Sequence, residues 1–532
     1  MKPMVSTEVF ITSAQGHKQA LLTNIVFQQG VASGNVIRIH PTMVKQTMAG
    51  IGTSFTEASA FVLAHLEPKK RQTLMEKIWG EKGANFSVAR TPIGSTDFCV
   101  DGKYTYAEVA DDAELQHFSI AHDSNGFSAS EYPSIKDEAY DLLPMIHEAL
   151  AVKSKQEESD LRILASAWTA PPWMKDIEDW YVHGSEGNDY QGTGGWLLDA
   201  HQGTYALYIK KYLEAYRQQG VNIWAVTPVN EPYGNNGRWE SMHFTPESQR
   251  DWIKNHLGPM LKQGQNSDVK IFIFDHNRDA LTLWADTIYG DADCAQYVDG
   301  AAVHWYESTF KVYEDVFDEV HEKYPQFSII HSEGCIDDLG NDAPEGVTDP
   351  IGFKESGWFG NDDFWWNENA TDWAYSTTWQ GVVPEDHPMY APVHRYARNI
   401  IVSINHWLSA WVDWNIVLDE RGGPNHVGNY CGAPIMINTD SGEIYFTPIF
   451  EVLSQFSRSI RPGDSAVQTD TDFTTLKADD VYACATLSSD AMLSVQIFNT
   501  TKQAVNFCLE INGQYAEVSI AANALQTIRI PL

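Results

Sequence analysis

Two glutamates each close a strand-like apolar segment of this 532-residue chain: Glu231 in WAVTPVNEP (224–232) and Glu333 in FSIIHSEGC (327–335). If both segments are strands of a barrel, both side chains fall at C-terminal strand ends, where barrel enzymes keep their reactive groups. Two carboxyls facing each other about 5–5.5 Å apart can hydrolyse a glycosidic bond with retention of configuration. One stays ionised and attacks the anomeric carbon. The other is kept protonated, by burial or a neighbouring negative charge, and donates to the leaving oxygen. A lone glutamate near a strand end is usually salt-bridged or solvated. Two at matched positions, one of them set between Asn230 and Pro232, form a pattern that solvation does not explain.

Positioning them requires a barrel, and the apolar pattern supplies one. Eight nearly continuous apolar runs lie at 50–56, 86–91, 161–167, 222–231, 269–276, 299–306, 327–333 and 408–415. Such runs mark strands buried on both faces of a parallel sheet. Amphipathic helical patterns lie between them, as in TYALYIKKYLEAYRQQG (204–220), which ends on a glycine stop signal. Eight strands with helical crossovers read as an α/β chain with a (β/α)8 barrel. An open doubly wound sheet is the runner-up, lowered by the lack of a GxGxxG after any of the strands.

The chain ends differ in texture. VYACATL, MLSVQIFN, VNFCLEI and LQTIRIPL, all beyond residue 446, alternate with period two between turn residues, and residues 5–40 behave alike. The expected organisation is N-terminal strands (1–45), a catalytic barrel (46–440) and C-terminal strands (441–532), the two ends joining in one β-sandwich. One stretch, 340–392, carries no clean element but crowds Trp358, Trp365, Trp366, Trp373 and Trp379 together. A loop following the seventh strand lies at the active face, so these tryptophans either fill a small core of their own or contact substrate.

Composition removes several classes. The balance of 36 basic against 71 acidic residues, a formal charge of −35, repels phosphate backbones, so nucleic acid is excluded as a partner. No run approaches the roughly 20 apolar residues of a membrane span. The first residues lack a leader's basic-then-apolar layout, so the chain is expected either to stay inside the cell or to begin after processing. The six cysteines form no CxxC pair, which favours free thiols. HExxH, the phosphate-binding GxxxxGK[ST] loop and a GxSxG elbow are all missing. His17, His276, His304 and His331 are dispersed singly, the habit of structural histidines. Neither a metal nor another cofactor is expected.

Longer segments carry a resemblance. RTPIGSTDF (90–98), LASAWTAPPWMK (164–175), WAVTPVNEP, FTPESQRDW (244–252), AVHWY (302–306), SEGC (332–335), WVDWN (411–415) and GGPNHVGN (422–429) resemble glycoside hydrolase family 30. Within it they are most similar to the glucosylceramidases. The resemblance implies a barrel fused to a β-sandwich, in agreement with the pattern above. It implies that Glu231 is the acid/base, Glu333 the nucleophile and Asn230 a donor to the sugar 2-hydroxyl. It implies Arg90 as the guanidinium orienting the nucleophile, and Tyr306 as the hydroxyl beside it. Asp97, Trp168, Trp414 and Asn429 match positions that hold the sugar, whereas His304 and Trp305 read as barrel wall. The implied substrate is a carbohydrate or glycolipid, glucosylceramide first. The alternatives are an endo-β-1,6-glucanase, because FIFDHNRD (272–279) resembles that branch equally, and an exo-acting β-glucosidase or β-xylosidase with no lipid substrate. The loop after Glu231 is shorter than in the animal enzymes, so leaving-group contacts do not carry over; Trp239 is the candidate replacement. No motif encodes an oligomeric state.

Overall fold

The computed structural model describes residues 3–183, 193–234, 237–336, 359–368 and 391–532. Its centre is a closed barrel of eight parallel strands: Gly50–Ser54, Val88–Ile93, Arg162–Ala167, Ala225–Thr227, Lys270–Asn277, Gly300–His304, Ser328–Glu333 and Leu408–Asn415. These fall within the eight apolar runs or overrun them by one or two residues. Strand eight closes on strand one through Ala410↔Gly50 and Trp411↔Ile51. Leu164, Ala225, Phe272, Ala302, Ile330 and Ala410, one from each of strands three to eight, form a small cluster of their own. Alternation of alanines with larger side chains is how a barrel interior fills without a pore. Gly52 is required by close approach: a Cβ there would lie 1.7 Å from the Val88 carbonyl oxygen of strand two.

Strand four is shorter than its apolar run. Pro228 has no N–H to give to a ladder, and the strand ends at Thr227. The chain beyond it still bridges its neighbours. Asn230 N–H donates to Ala167 O at 2.7 Å and Glu231 N–H to Asp275 O at 3.0 Å. Glu231 therefore stays at the strand end, with a left-handed φ of 50°. Strand five carries a second irregularity. Its register against strand six slips between Ala302 and Val303, and Phe274 and Asp275 take φ of 76° and 71°. A bulge of this kind re-aims side chains, and bulges concentrate beside active sites.

Strands from both chain ends form one ten-stranded sheet, in which Glu8–Ser13 lies beside Ala524–Pro531 and Val36–Thr47 beside Ser465–Asp472. Val9, Ile37, Val495, Leu509, Val518 and Ile528, from across this sheet, share one core. The sheet must therefore fold over on itself, giving the sandwich that the alternating pattern implied. Helix Pro448–Ser459 lies between sandwich and barrel. On the barrel side Ser457 Oγ donates to Asn85 O; on the sheet side Gln455 accepts from Thr12 Oγ1 at 2.7 Å and donates to Thr527 Oγ1 at 2.9 Å. These bonds satisfy polar groups in an otherwise apolar seam, where an unmade bond would cost about 1–3 kcal/mol.

The Trp-rich stretch lies mostly outside the described residues, including Trp358, Trp373 and Trp379. Within it, Trp365 is fully buried on the short helix Asp362–Trp366, so this tryptophan packs in the core. None of the six cysteines is in a disulfide. No helix among the described residues is long and apolar enough to cross a membrane.

Candidate active site

Among the described residues, those named above as catalytic or sugar-binding lie on the barrel strands toward their C-terminal ends or on the loops that leave them. Arg90, on strand two, is the hub and is fully buried. Its Nη1 contacts Glu333 Oε2, and its Nη2 donates to Asn230 Oδ1 at 2.7 Å and to Asp275 Oδ2 at 2.8 Å. Glu333 ends strand seven and accepts a second bond, from the Tyr306 hydroxyl to Oε1 at 3.0 Å. Trp168 and Trp414 stack on each other, centroids 5.2 Å apart, and the Arg90 guanidinium lies 4.8 and 5.6 Å from their rings. Because Arg90 occupies the Asn230 carbonyl, the amide NH2 is the end left for a ligand.

Glu231 is served by strands five and six. His304 Nδ1 lies 3.1 Å from Glu231 Oε1, while its Nε2 lies 2.9 Å from Asp275 Oδ1. Asp275 also accepts from Ser332 Oγ at 2.6 Å, Thr227 Oγ1 at 2.7 Å and Ser166 Oγ at 3.0 Å, so five donors converge on one buried carboxylate. Burial opposes its ionisation, but Arg90 and His304 outweigh burial and hold it far below the usual carboxylate range. His304 is the converse: burial lowers it, yet Glu333, Asp275 and Glu231 raise it to about 9. Asp275 thus links the guanidinium that grips Glu333 to the imidazole that touches Glu231.

The two glutamates titrate as one system. Burial and the charges of Glu231 and Asp275 push Glu333 up, against His304 and Arg90. Burial acts on Glu231 too, but His276, His304 and Arg90 overcome it and hold Glu231 down. Arg90 and Tyr306 supply donors to Glu333, and His304 faces Glu231, so each carboxyl has its own polar partner.

The third part of the site surrounds Asp97, which is 4% exposed. Asn425 and Asn429 each donate to its Oδ2 at 3.0 Å, and His426 N–H donates to its backbone carbonyl. Burial pushes Asp97 up to about 7, with the two amides opposing. The loop carrying these residues is held at its base by pairing of Val417–Asp419 with Ile435–Ile437. A second carboxylate clamps it from the side. Glu240, fully buried, accepts from Ser95 Oγ at 2.9 Å and Lys103 N–H at 2.8 Å, and its Oε2 lies 3.1 Å from His426 Nε2. Burial raises Glu240, but His426 more than offsets this and holds it below the usual range. Loops after strands two, four and eight are thereby joined.

The structure brings the nine residues named from the sequence to one end of the barrel, together with supports that the sequence did not announce. Asp275 sits where a carboxylate at a strand end could have been noticed, in FDHN. His304, read as barrel wall, instead lies between Glu231 and Asp275; Trp305 beside it is fully buried, as a wall residue should be. His276 and His304 are 28 positions apart, yet they lie on neighbouring strands with ring centroids 6.2 Å apart. The dispersed-histidine reading fails for this pair because strand pairing, not sequence spacing, makes them neighbours. Glu240 and His426 had no legible signal, since their contact joins two loops.

A closed parallel barrel with paired carboxyls at its C-terminal strand ends defines a class, the barrel glycoside hydrolases. The chain belongs to glycosyl hydrolase family 30, whose TIM-barrel domain matches residues 48–345 and 378–460. It is 27% identical to the lysosomal acid glucosylceramidase of Mus musculus, over 93% of this chain and 83% of that protein. It is 24% identical to the endo-1,6-β-D-glucanase neg1 of Aspergillus fumigatus, over 86% of this chain and 79% of that protein. Among solved structures, SrfJ from Salmonella typhimurium superposes with a TM-score of 0.77 at 20% identity, covering 99% of both chains.

Proposed function

We propose that this glycoside hydrolase is a retaining β-glucosidase that releases glucose from glucosylceramide or a related β-glucoside. The observation that carries the reading is the asymmetry of the two carboxyls: Glu333 is gripped by Arg90 and Tyr306, whereas the Glu231 carboxyl, among the described residues, has imidazoles beside it, His304 at 3.1 Å and His276 at 3.8 Å. A carboxylate held by a guanidinium and a phenol is oriented for attack. One lying against an imidazole can gain and lose a proton.

In the first step Glu333 attacks the anomeric carbon as the bond to the leaving oxygen breaks, and Glu231 gives that oxygen its proton. In the second, Glu231 takes a proton from water, the water oxygen bonds to the anomeric carbon, and Glu333 departs as a carboxylate. The Asn230 amide donates to the 2-hydroxyl, and Asp97 with Asn429 receives hydroxyls at the far end of the sugar. Trp168 and Trp414 cover an apolar face of the ring.

Endo-β-1,6-glucanase activity is the second reading, favoured by the fungal relative, while FIFDHNRD (272–279) resembles both branches equally. Product analysis separates the two. Detergent-dispersed glucosylceramide and β-1,6-glucan are incubated in parallel with wild type and Glu333→Gln. Glucose and ceramide from wild type alone support the first reading. Oligosaccharides from the glucan, with the lipid untouched, replace it by the second.

A further inference from the structure

His276 lies beside Glu231, and the proposed reaction leaves it unused. It is 5% exposed, and neither ring nitrogen has a hydrogen-bond partner among the described residues. Its Nδ1 points at Glu231 Oε1 from 3.8 Å, too long for a hydrogen bond. Buried imidazole nitrogens without partners are costly and need an explanation.

The surroundings supply one. Donor atoms of Glu231, His276 and His304 all lie within 4.8 Å of one another, with Glu231 Oε1 at 3.1 Å from His304 Nδ1. A tetrahedral zinc ion with bonds of about 2.0–2.2 Å holds its ligand atoms roughly 3.3–3.5 Å apart, so small side-chain shifts bring this trio into range. The outer shell also fits. A metal-bound imidazole gives its other N–H to a carboxylate, and His304 Nε2 already faces Asp275 Oδ1 at 2.9 Å. Gly234 lets the chain pass close to the trio: a Cβ there would stand only 3.0 Å from both Glu231 Oε2 and His276 Nε2. Two imidazoles and one carboxylate suit a borderline transition ion, whereas calcium and magnesium demand more oxygen ligands.

We propose that Glu231, His276 and His304 form a site for a divalent transition cation of the zinc type, and that its occupation reversibly blocks turnover. The cation takes the carboxylate oxygen on which the acid proton must sit. Binding stands on geometry alone, and only the inhibitory consequence rests on Glu231 being the acid/base.

The test uses the full chain stripped of metal with EDTA. Equilibrium dialysis against zinc chloride and titration with Co2+, read by visible absorption, report binding without any substrate. One zinc per chain and the intense absorption of four-coordinate cobalt are expected for wild type. The apparent dissociation constant should rise at least tenfold in both His276→Ala and His276→Gln, each checked for folding by circular dichroism. Turnover of an aryl β-glucoside by wild type should fall as zinc fills the site and recover with EDTA. Each variant, compared with its own metal-free rate, should need at least tenfold more zinc. Dialysed wild type without zinc and without the cobalt band overturns the proposal, whatever the variants do. So does zinc binding that both folded variants retain unchanged, or saturation of the site with no loss of turnover. If the chain hydrolyses no β-glucoside at all, the functional reading fails while dialysis and absorption still decide the site.

Discussion

Removing one hydroxyl, by Tyr306→Phe, tests the assignment of Glu333 as the carboxylate that attacks and leaves. The phenol donates to Glu333 Oε1 at 3.0 Å, and the side chain it serves is buried against Arg90. A hydrogen bond to a charged group is worth about 1.5–3 kcal/mol, and one pKa unit is about 1.4 kcal/mol. Losing the donor therefore raises the carboxyl by about 1–2 units above a position that burial has already raised. The acid limb of the kcat/KM profile, which reports the free enzyme, should move up by that amount. The same donor stabilises Glu333 as it leaves the glycosyl-enzyme, so the second step slows roughly 10- to 150-fold. On an activated aryl β-glucoside the first step stays fast. Stopped-flow release of the aryl group should then show a burst of one equivalent per chain, followed by a steady state slower than that of wild type by the same factor. An acid limb that does not move, with a steady state as fast as wild type's, would contradict the assignment and leave Tyr306 a packing residue.

Three further outcomes follow from the supports of the site. Asp275→Asn keeps the shape but leaves Arg90 and His304 short of a buried counter-charge, so urea unfolding should show a loss of about 3–5 kcal/mol; an unchanged midpoint would deny Asp275 its place as keystone. Glu240→Gln weakens the clamp on the loop that holds Asp97 without touching Glu231 or Glu333, and KM should rise roughly tenfold while kcat changes less, as expected for one lost charge-assisted bond; equal loss in both would contradict a role confined to sugar binding. His304 is raised to about 9 from an ordinary value of 6.5, so its contribution to stability is complete below pH 6.5 and is lost as pH rises through 9. Thermal midpoints between pH 6 and 10 should accordingly fall more steeply for wild type than for His304→Gln, and parallel curves would remove this linkage.

The barrel was legible because its strands are buried on both faces, which leaves continuous apolar runs such as IFIF (271–274) and LSAWV (408–412) that period-based reading detects. The sandwich was legible through alternation in VNFCLEI, where every second residue faces the shared core. Glu231 and Glu333 stood out because strand ends carry chemistry in this architecture. What stayed hidden depends on contacts between distant segments. The bulge at Phe274 and Asp275 has no glycine to announce it, and it brings Asp275 to Arg90 and His304. The Glu240–His426 clamp joins residues 186 positions apart on two irregular loops, where no periodicity exists to be read. Strand four ended early because Pro228 removed a ladder donor, an effect the apolar pattern of NIWAVTPVNE does not register.

A retaining mechanism requires a covalent glycosyl-enzyme at Glu333. A 2-deoxy-2-fluoro β-glucoside with an activated leaving group slows both steps and allows the intermediate to accumulate. Intact-mass spectrometry followed by peptide mapping then locates the sugar. The expected result is one fluoroglucosyl group per chain, on the peptide containing Glu333, absent from Glu333→Gln and released on dilution into a good acceptor. Turnover of the parent glucoside with no adduct, or an adduct on any other residue, would contradict the mechanism.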